Sequence, residues 1–403
     1  MTVQSIPLVP SVFWVCLFLI LYSYFLYPLV LFIAYSASQV LRDWRYLTSA
    51  SDRRVRDVGK QELPSVTLIV PAYNEESCLP EKIANVKQLD YPPEKMEVIF
   101  VSDGSSDRTA DILQGLNDPN IQAIFVSERA GKFNALNQAA SAARTEILVF
   151  SDANTLFAPD AVQKLVRHFT EPTVGAVCGI VRLVGDSEFR QTEGVYWKYE
   201  SILRMMEGRL GATLNACGAI YALRRQCYKV LEPGDIIDDF IIPLNARKMG
   251  YRVVSDSEAI ATEFSATSVK DEYIRRVRLA VGSFRALPLV SGLPLANVFG
   301  LALISHKVLR WILSFLMIGV LLSNVLMLNQ PLYRMLFLCQ VAFYLWAGFG
   351  FLLRHKLQGI RFALLGYFMV AIHVAFLGGF WRYLWGQSSS TWQRTSRGPA
   401  RGL

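Results

Sequence analysis

Two apolar patterns divide the chain into three parts. Long apolar runs occur near both ends, whereas the middle alternates short apolar runs with amphipathic segments. Residues 11–35 form the first long run and contain no charged side chain, and about 20 apolar residues suffice to cross a bilayer. Residues 309–327, 336–353 and 362–384 are long enough as well. His373 lies inside the last of these runs, so a buried or interfacial helix remains an alternative there.

The middle part alternates strand-like and helix-like segments. Short apolar runs bounded by turn residues predict buried strands at 66–70, 98–101, 121–126 and 147–150. The segments between them have helical length and spacing at 76–89, 107–116 and 132–143. Ser106 or Asp107 is the expected N-cap of the second helix. This alternation predicts an α/β fold with a mostly parallel sheet, and such sheets bind ligands beyond the carboxyl ends of their strands.

These patterns give a predicted domain organisation. Residues 287–306 are apolar but interrupted by prolines and glycines, which favours a helix at the membrane surface over a span. The predicted parts are a transmembrane helix (1–40), a basic juxtamembrane linker (41–62), an α/β domain (63–286), an interfacial helix region (287–308), about three C-terminal transmembrane helices (309–386) and a polar basic tail (387–403).

Composition and charge support a membrane protein whose α/β domain faces the cytosol. Of the 403 residues, 52% are hydrophobic, more than an ordinary soluble domain carries. The N-terminus lacks a basic residue, which argues against a cleaved signal peptide. The positive-inside rule places the domain in the cytosol of a multi-pass protein of the inner (cytoplasmic) membrane. The basic residues behind this prediction are Arg42, Arg45, Arg53, Arg54, Arg56 and Lys60.

The charged residues, cysteines and histidines indicate which ligands and partners are expected. A net charge of +8 requires no nucleic acid, because many basic residues lie beside apolar runs, where anionic lipid head groups are the expected neighbours. The six cysteines form no CxxC pair, which indicates reduced thiols. The four histidines are scattered, so a metal site built from histidines is not expected.

Polar residues gather where the predicted strands end. The first strand runs into PAYNEE (71–76), the second into VSDGSSDRT (101–109) and the fourth into FSDAN (150–154). Because the carboxyl ends of parallel strands share an edge, these side chains are expected close together. Turn chemistry alone is the alternative, since Ser, Asp and Asn also favour tight turns. Lys132 begins the third helix, where a cation is unfavourable unless an anion such as a diphosphate is present.

Six motifs in this order resemble the membrane-embedded family 2 glycosyltransferases, the group that contains cellulose, hyaluronan and poly-N-acetylglucosamine synthases. The motifs are PAYNEE, VSDGSSDRT, GKFNALN, FSDANT, ACGAIYALRR and IIDDFIIPLNARKMGYRV. The resemblance extends from Pro64 to about Trp311. It implies a GT-A nucleotide-sugar-binding fold for residues 63–286 and a hexosyl- or N-acetylhexosaminyl-transferase activity.

The resemblance also implies roles for individual residues. Tyr73 and Glu75 look like contacts to the base of a uridine nucleotide, and Asp103 looks like a uracil or ribose partner. The full set implied for the nucleotide sugar is Pro71, Tyr73, Glu75, Asp103, Lys132, Asp152 and Arg278. Asp152 and Asn154 occupy the motif that holds a divalent cation, Mg²⁺ or Mn²⁺. The acceptor-sugar site is implied at Cys217, Gly218 and Asp238, and the catalytic base at Asp239, with Asp238 as a supporting or alternative residue.

Sugar transfer from a nucleoside diphosphate requires two separate acidic sites. A leaving diphosphate needs its charge stabilised, which Mg²⁺ or Mn²⁺ held by oxygen ligands can do. The attacking hydroxyl needs a base, and a positioned carboxylate can serve. The simpler explanation for Asp238 and Asp239 is capping of a helix that begins near Phe240. Asn154 carries one negative charge fewer than the usual aspartate, which predicts weaker metal affinity.

Two segments depart from the family pattern. Processive members carry a Gln-x-x-Arg-Trp signature, whereas residues 275–279 keep Arg278 but lack the glutamine and the tryptophan. This difference favours transfer of a single sugar, and a basic interfacial face is the alternative role of the segment. Trp392, Thr395 and Arg397 look like a gate that closes over the nucleotide, yet three spans after a cytosolic domain would leave this tail outside.

The expected function is therefore a membrane-bound inverting glycosyltransferase that uses a UDP-type sugar nucleotide. The acceptor is lipid-linked or a glycan, in the biosynthesis of a surface or extracellular polysaccharide. A processive synthase that also secretes its polymer is the first alternative, and a non-catalytic assembly subunit with a degenerate metal site is the second. A pure transporter would leave the six motifs unexplained. Expected partners are the UDP-sugar donor, the acceptor, membrane lipids and polysaccharide-assembly proteins, and no nucleic acid.

Overall fold

The structure is a computed structural model that describes residues 8–49, 62–184, 188–234, 236–264, 269–293, 295–353 and 361–386. Most of the basic linker and the whole polar tail fall beyond these ranges. The predicted gate residues Trp392, Thr395 and Arg397 therefore lie outside the described residues.

The described ranges contain strands β1 to β8 and α-helices α1 to α13. The strands are β1 Val66–Ala72, β2 Met96–Asp103, β3 Ile121–Val126, β4 Ile147–Ser151, β5 Thr155–Phe157, β6 Val174–Val184, β7 Ile220–Arg224 and β8 Arg252–Phe264. The helices are α1 Leu8–Leu21, α2 Tyr27–Thr48, α3 Leu79–Lys87, α4 Thr109–Gln114, α5 Lys132–Ala142, α6 Ala161–Val166, α7 Glu188–Arg209, α8 Asp238–Lys248, α9 Val269–Ala286, α10 Val298–Ala302, α11 Leu309–Val325, α12 Pro331–Leu352 and α13 Arg361–Leu384.

One sheet contains all eight strands in the order β3-β2-β1-β4-β7-β6-β8-β5. The first four strands in this order are parallel to one another, and β6 is parallel to β8. β7 runs antiparallel to both β4 and β6, and β5 runs antiparallel to β8. The predicted strands are present as β1 to β4, and the predicted α/β fold with a mostly parallel sheet is confirmed.

The predicted helices exist, but the structure corrects how two of them begin. α3 begins at Leu79 rather than at Glu76, because the backbone N–H of Glu76 donates to Asp107 Oδ2 at 3.1 Å. The N-cap of α4 is Arg108 rather than Ser106 or Asp107. Asp107 still accepts a hydrogen bond from the N–H of Thr109 at 2.9 Å. Its carboxylate therefore joins two loops instead of ending one helix.

Two apolar clusters cover the two faces of the sheet. Every residue of β1 is buried, as expected for a central strand of a parallel sheet. Leu68 and Val70 belong to one cluster and Ile69 belongs to the other. Full burial of each such side chain contributes about 1.5–3 kcal/mol. The cluster that contains Ile69 also contains Tyr27 and Trp311 from the apolar end regions, so the sheet and the terminal helices share one core.

Four helices among the described residues are long and apolar enough to cross a membrane: Leu8–Thr48, Val298–Val325, Pro331–Leu352 and Leu364–Leu384. All the long apolar runs of the sequence are therefore helical. The second of these helices begins at Val298 and not at Leu309, so part of the segment expected at the membrane surface continues into it.

Two turns of π-helix interrupt the apolar helices where they meet the sheet domain. One is Tyr22–Leu26, between α1 and α2, and the other is Leu303–Val308, between α10 and α11. The hydroxyl groups of Tyr22 and Ser305 lie 2.8 Å apart and join the two turns. Wide turns of this kind are rare and occur frequently at functional sites.

A buried polar cluster, which we call the junction network, ties α7 to these turns; its members are Tyr27, Glu200, Glu207, His306 and Arg310. Glu207 Oε1 accepts from the Tyr27 hydroxyl at 2.6 Å and lies 2.6 Å from His306 Nδ1. Glu200 pairs with His306 Nε2 at 2.9 Å and with the Arg310 guanidinium. Burial opposes ionisation of Glu200, but Arg310 and His306 outweigh it and hold the pKa of Glu200 well below its usual value.

Tyr27→Phe is expected to weaken the docking of the first apolar helix on the sheet domain. The change leaves buried Glu207 with one partner fewer, which should cost about 1–3 kcal/mol. Thermal unfolding of the detergent-solubilised protein measures the effect. Tyr46→Phe, at the exposed end of the same helix, is the matched control. Equal melting temperatures for the two variants would show that the Tyr27 hydrogen bond contributes nothing.

Candidate functional site

The loops that follow β1 and β2 are bound together at one edge of the sheet. β1 pairs in parallel with both β2 and β4, so residues beyond these strands are neighbours. Asn74 Oδ1 accepts from the N–H of Ser106, and Thr109 Oγ1 accepts from the N–H of Glu75, both at 2.8 Å. Asn74 has a φ of 53°, in the left-handed region that asparagine tolerates better than most residues. These bonds fix the PAYNEE loop against the second strand end.

Asp103 and Tyr73 shape a small pocket at this edge. Buried Asp103 accepts from the N–H groups of Ala130 at 2.9 Å and Gly131 at 2.8 Å, and so holds the loop before α5. The Arg129 guanidinium lies 3.7 Å from the centre of the Tyr73 ring, in a cation–π contact. The pocket is lined by Pro71, Ala72, Tyr73, Asp103, Arg129, Lys132 and Ala135. The sequence analysis did not include Arg129 among the site residues. Its position three residues before Lys132 could have indicated that it lies near the site.

Lys132 joins two carboxylates that come from distant parts of the chain. Its Nζ lies 2.9 Å from Asp152 Oδ1, beyond β4, and 3.2 Å from Asp238 Oδ2, at the start of α8. Burial would lower the pKa of Lys132, but Asp152 and Asp238 outweigh burial and raise it above its usual value. Lys132 is therefore a permanent cation between two acidic groups.

Asp238 and Asp239 open α8, and neither is its cap. The helix begins at Asp238, its N-cap is Ile237, and no side chain caps it, so the simpler capping explanation is wrong. Burial raises the pKa of Asp238 to about 6, although nearby Lys132 acts in the opposite direction. A carboxyl group whose pKa is raised towards neutral pH by burial is typical of a functional site.

Asp239 lies against the segment that precedes β7. Its backbone carbonyl accepts from the N–H of Ala216 at 2.8 Å. A Cβ at Gly218 would lie 3.4 Å from Asp239 Cβ and 3.8 Å from Asp239 Oδ2. The absence of a side chain at Gly218 therefore leaves space beside the Asp239 carboxylate.

The turn that carries Asp152 and Asn154 is supported from behind by a lysine that sequence reasoning missed. Lys82 is fully buried and donates to Ser151 Oγ at 2.7 Å and to the carbonyl of Thr155 at 2.6 Å. Burial lowers the pKa of Lys82 to about 7, while Asp152 acts against this shift. In the sequence, Lys82 stands four residues after Cys78 in a segment with helical spacing. That spacing does not indicate that the lysine is buried.

The donor set at this turn fits a cation that is shared with a substrate. Among the described residues no group of three or more His, Cys, Asp or Glu side chains is placed to hold a metal ion. Asp152 faces the site beside Lys132, and Asn154 is half-buried two residues further on. Two oxygen-bearing side chains are too few for Mg²⁺ or Mn²⁺, which need further oxygens from substrate and water.

A second, larger cavity of about 420 Å³ adjoins this cluster. Among the predicted site residues it is lined by Lys132, Asp152, Cys217, Gly218, Asp238, Asp239 and Arg278. Lys132 belongs to both pockets, so it marks the place where they meet. Burial, followed by the neighbouring Arg275, lowers the pKa of Arg278, and Asp152, Asp238 and Asp239 partly restore it.

Two of the predicted site residues that the structure describes line neither pocket. The buried Glu75 carboxylate accepts a hydrogen bond from the Cys78 thiol at 3.0 Å and supports the PAYNEE loop from within. Asn154 lies in the turn after β4, next to Asp152 but outside both pocket linings.

Comparison with known proteins finds similarity over the α/β domain. Residues 67–231 match the glycosyl transferase family 2 domain. An N-acetylglucosaminyltransferase of Rhizobium leguminosarum bv. viciae is 28% identical over 64% of this chain and 65% of its own length. A poly-β-1,6-N-acetyl-D-glucosamine synthase of Staphylococcus aureus is 28% identical over 57% of each chain. The matches thus span less than two thirds of both relatives.

A solved structure establishes the fold over more of the chain. The mannosyltransferase of Pyrobaculum calidifontis, in complex with GDP-Man and Mn²⁺, aligns with a TM-score of 0.64 at 23% identity. The alignment covers 89% of this chain and 98% of that one. The GT-A-like fold implied by the sequence motifs is therefore confirmed.

Asp238→Asn is expected to stabilise the fold at neutral pH. Because burial raises the pKa of Asp238 from 3.8 to about 6, its contribution to stability is full below pH 3.8 and is lost as the pH rises through 6. The variant should therefore be more stable than the wild type at pH 7.5, by about 1–3 kcal/mol. Thermal unfolding at pH 7.5 and pH 5 measures the gain, which should shrink at the lower pH.

Asp90→Asn, at an exposed position, is the control for this comparison and should leave the melting temperature nearly unchanged at both pH values. An Asp238→Asn variant that melts below the wild type at pH 7.5 would contradict the raised pKa.

Proposed function

We propose that this chain, which carries a glycosyl transferase family 2 domain, is a membrane-bound inverting glycosyltransferase. It transfers a sugar from a UDP-type sugar nucleotide to a lipid-linked or glycan acceptor in surface or extracellular polysaccharide biosynthesis. One observation carries the proposal: Lys132 bridges Asp152 and Asp238 where the two pockets meet. A donor diphosphate at Lys132 would thus lie next to an acceptor in the larger cavity.

The small pocket suits the nucleoside of the donor. The Tyr73 ring and the Arg129 guanidinium offer flat surfaces to a base, and Asp103 keeps the pocket wall in place. A nucleoside bound there would direct its diphosphate towards Lys132. Arg278 supplies a second cation from the side of the larger cavity, since it is in electrostatic range of Asp152. The names of the sequence relatives, which specify N-acetylglucosamine, support a UDP sugar over the GDP-Man of the mannosyltransferase.

Asp152 and Asn154 would hold Mg²⁺ or Mn²⁺ through their side-chain oxygens. The ion would neutralise charge on the leaving diphosphate. Lys82 fixes the turn between the two residues through Ser151 and Thr155, so the spacing of their oxygens is set before a ligand binds. The fold neighbour was solved with Mn²⁺, which supports a divalent ion at this edge of the sheet.

Asp239 is the better base, and Asp238 the supporting residue. Both carboxylates line the cavity, but Asp238 is buried and tied to Lys132, whereas Asp239 is half-buried beside the space left by Gly218. As the acceptor oxygen bonds to the anomeric carbon, its proton passes to Asp239 and the bond to the diphosphate breaks. Attack from the cavity side, opposite the diphosphate, inverts the configuration at the anomeric carbon.

The membrane arrangement follows the charge pattern. The basic residues after the first apolar helix support a cytosolic catalytic domain in the inner membrane, with the domain limits given above. Four spans would return the C-terminus to the side of the N-terminus, so a gate at Trp392, Thr395 and Arg397 requires that one apolar helix does not cross. Polysaccharide-assembly proteins remain the proposed partners.

A processive synthase that secretes its polymer is the second candidate. Two observations favour it: the named activity of the Staphylococcus relative, and the extension of the cavity to the apolar helices. The missing tryptophan after Arg278 still favours addition of a single sugar.

Asp239→Asn is expected to lower the rate of sugar transfer about 10²–10⁴-fold, the usual contribution of a general base. Donor affinity should not change, because Asp239 faces the acceptor. The assay uses purified protein, radiolabelled nucleotide sugars, Mg²⁺ or Mn²⁺ and native membrane lipids. Asp111→Asn, on the exposed surface of α4, is the control. Unchanged turnover in Asp239→Asn would remove this residue as the base.

The products of the same assay separate the candidate functions. Label in lipid that extracts into organic solvent supports transfer of one sugar, and label in high-mass material supports a polymer synthase. No turnover of the wild type with any donor would favour a non-catalytic assembly subunit.

Asn154→Asp should lower the metal concentration needed for half-maximal activity roughly tenfold, because oxygen sites bind hard cations more tightly as their negative charge increases. Mn²⁺ binding, followed by electron paramagnetic resonance, gives a second readout. If the requirement stays the same or rises, Asn154 is not a ligand, and Asp152 holds the ion with diphosphate and water alone.

A further inference from the structure

The larger cavity continues past Asp239 to the apolar helices. Its far wall includes Lys307 and Trp311 from one of these helices and Ile372 and Phe376 from α13. Both helices are long and apolar enough to cross a membrane. A ligand that fills the whole cavity therefore has one end beside Asp239 and the other among membrane-spanning segments.

Lys307 lies in a distorted part of its helix. It belongs to the π-helical turn Leu303–Val308, which Ser305 joins to the turn Tyr22–Leu26. The distortion leaves Lys307 in the cavity wall, while the preceding residue, His306, is bound by the junction network. Since π-helical turns are rare and cluster at functional sites, the exposure of Lys307 to the cavity calls for a ligand.

Two of the three carboxylates that act on Lys307 are already engaged. Glu207 is bound by Tyr27 and His306, and Glu200 by His306 and Arg310. Across the ranges that the structure describes, no hydrogen bond or ion pair involves the Lys307 ammonium group. The third, Asp239, forms no ion pair or hydrogen bond with Lys307 among the described residues, so the Lys307 ammonium group faces the cavity.

Arg204 brings a second positive charge to the same place. Lys307 is in electrostatic range of Arg204 and of Asp239, and Arg204 also acts on Cys217. Two like charges in a partly buried cavity repel each other, and an anion between them would remove that repulsion. Such an anion would lie close to the base of the proposed reaction.

We propose that Arg204 and Lys307 bind the phosphate of the acceptor, and that the acceptor is a sugar carried on a lipid phosphate or diphosphate. The inference rests on the proposed function and names its acceptor class. The donor diphosphate has other cations, Lys132 and Arg278, which line the same cavity. The apolar chain of the acceptor would lie against Ile372 and Phe376, and its sugar hydroxyl would reach Asp239.

Binding to the full chain in nanodiscs of neutral lipid tests the phosphate site. The probes are dodecyl phosphate, dodecanol and inorganic pyrophosphate, with affinity measured by microscale thermophoresis. Dodecyl phosphate should bind about tenfold or more tightly than dodecanol, as a charge-assisted hydrogen bond implies. Lys307→Met should remove this preference and Lys307→Arg should retain it.

Arg382→Met is the matched control, because Arg382 is an exposed basic residue at the end of α13 and does not line the cavity. It should bind dodecyl phosphate as the wild type does. Equal affinity for dodecyl phosphate and dodecanol would overturn the phosphate site. Displacement of dodecyl phosphate by equimolar pyrophosphate would show that the site takes a free anion instead of a lipid.

Steady-state transfer with native lipid acceptors distinguishes this inference from the proposed function. Lys307→Met should raise KM for the lipid acceptor about tenfold or more and leave KM for the donor unchanged. A raised donor KM would assign Lys307 to the donor diphosphate, and unchanged kinetics would refute the acceptor site alone. Selective binding of dodecyl phosphate without transfer from any nucleotide sugar would refute the proposed function and leave the lipid phosphate site standing.

Discussion

The ion pairs of Lys132 with Asp152 and Asp238 are the constraint on which the site depends. The two carboxylates come from the end of β4 and the start of α8, and their charges would repel if no cation stood between them. Burial favours the neutral forms of Lys132 and Asp238, and the attraction of the two carboxylates keeps Lys132 charged. The end of β4 and the start of α8 are therefore held together by the first residue of α5.

The position of that residue is set by the strand end before it. Asp103 binds the N–H groups of Ala130 and Gly131, and Gly131 has a φ of 104°, which a residue with a side chain rarely adopts. The pair of motifs VSDG and AGK is thus one physical unit: a carboxylate, a loop whose N–H groups donate to it, and a lysine that follows this loop. The same unit lines the small pocket beside Tyr73, so this pocket and the charged cluster around Lys132 are linked.

Local patterns in the sequence predicted the elements, and tertiary contacts decided what the patterns missed. Strands β1 to β4 follow from apolar runs alone, because a buried parallel strand needs only continuous apolar residues. The start of α3 was not predicted from the local pattern, because Asp107 in a different loop accepts a hydrogen bond from the N–H of Glu76. The roles of Lys82 and of the junction network were not predicted either, because each depends on partners distant in the chain. The burial of these charged residues follows from the tertiary fold, whereas their residue types alone predict solvent-exposed positions.

The junction network joins the apolar helices to the wall of the larger cavity. Tyr27 and Trp311 share a core with the sheet, and two carboxylates of α7 bind His306. The cavity wall around His306 is therefore joined to the apolar helices. Lys307 and Arg310 belong to the helix that carries His306, so the same contacts set their position in the cavity wall. In the proposed reaction, an acceptor bound in this cavity would lie against both the apolar helices and Asp239. The α/β domain without these helices would lack the part of the cavity wall that they supply.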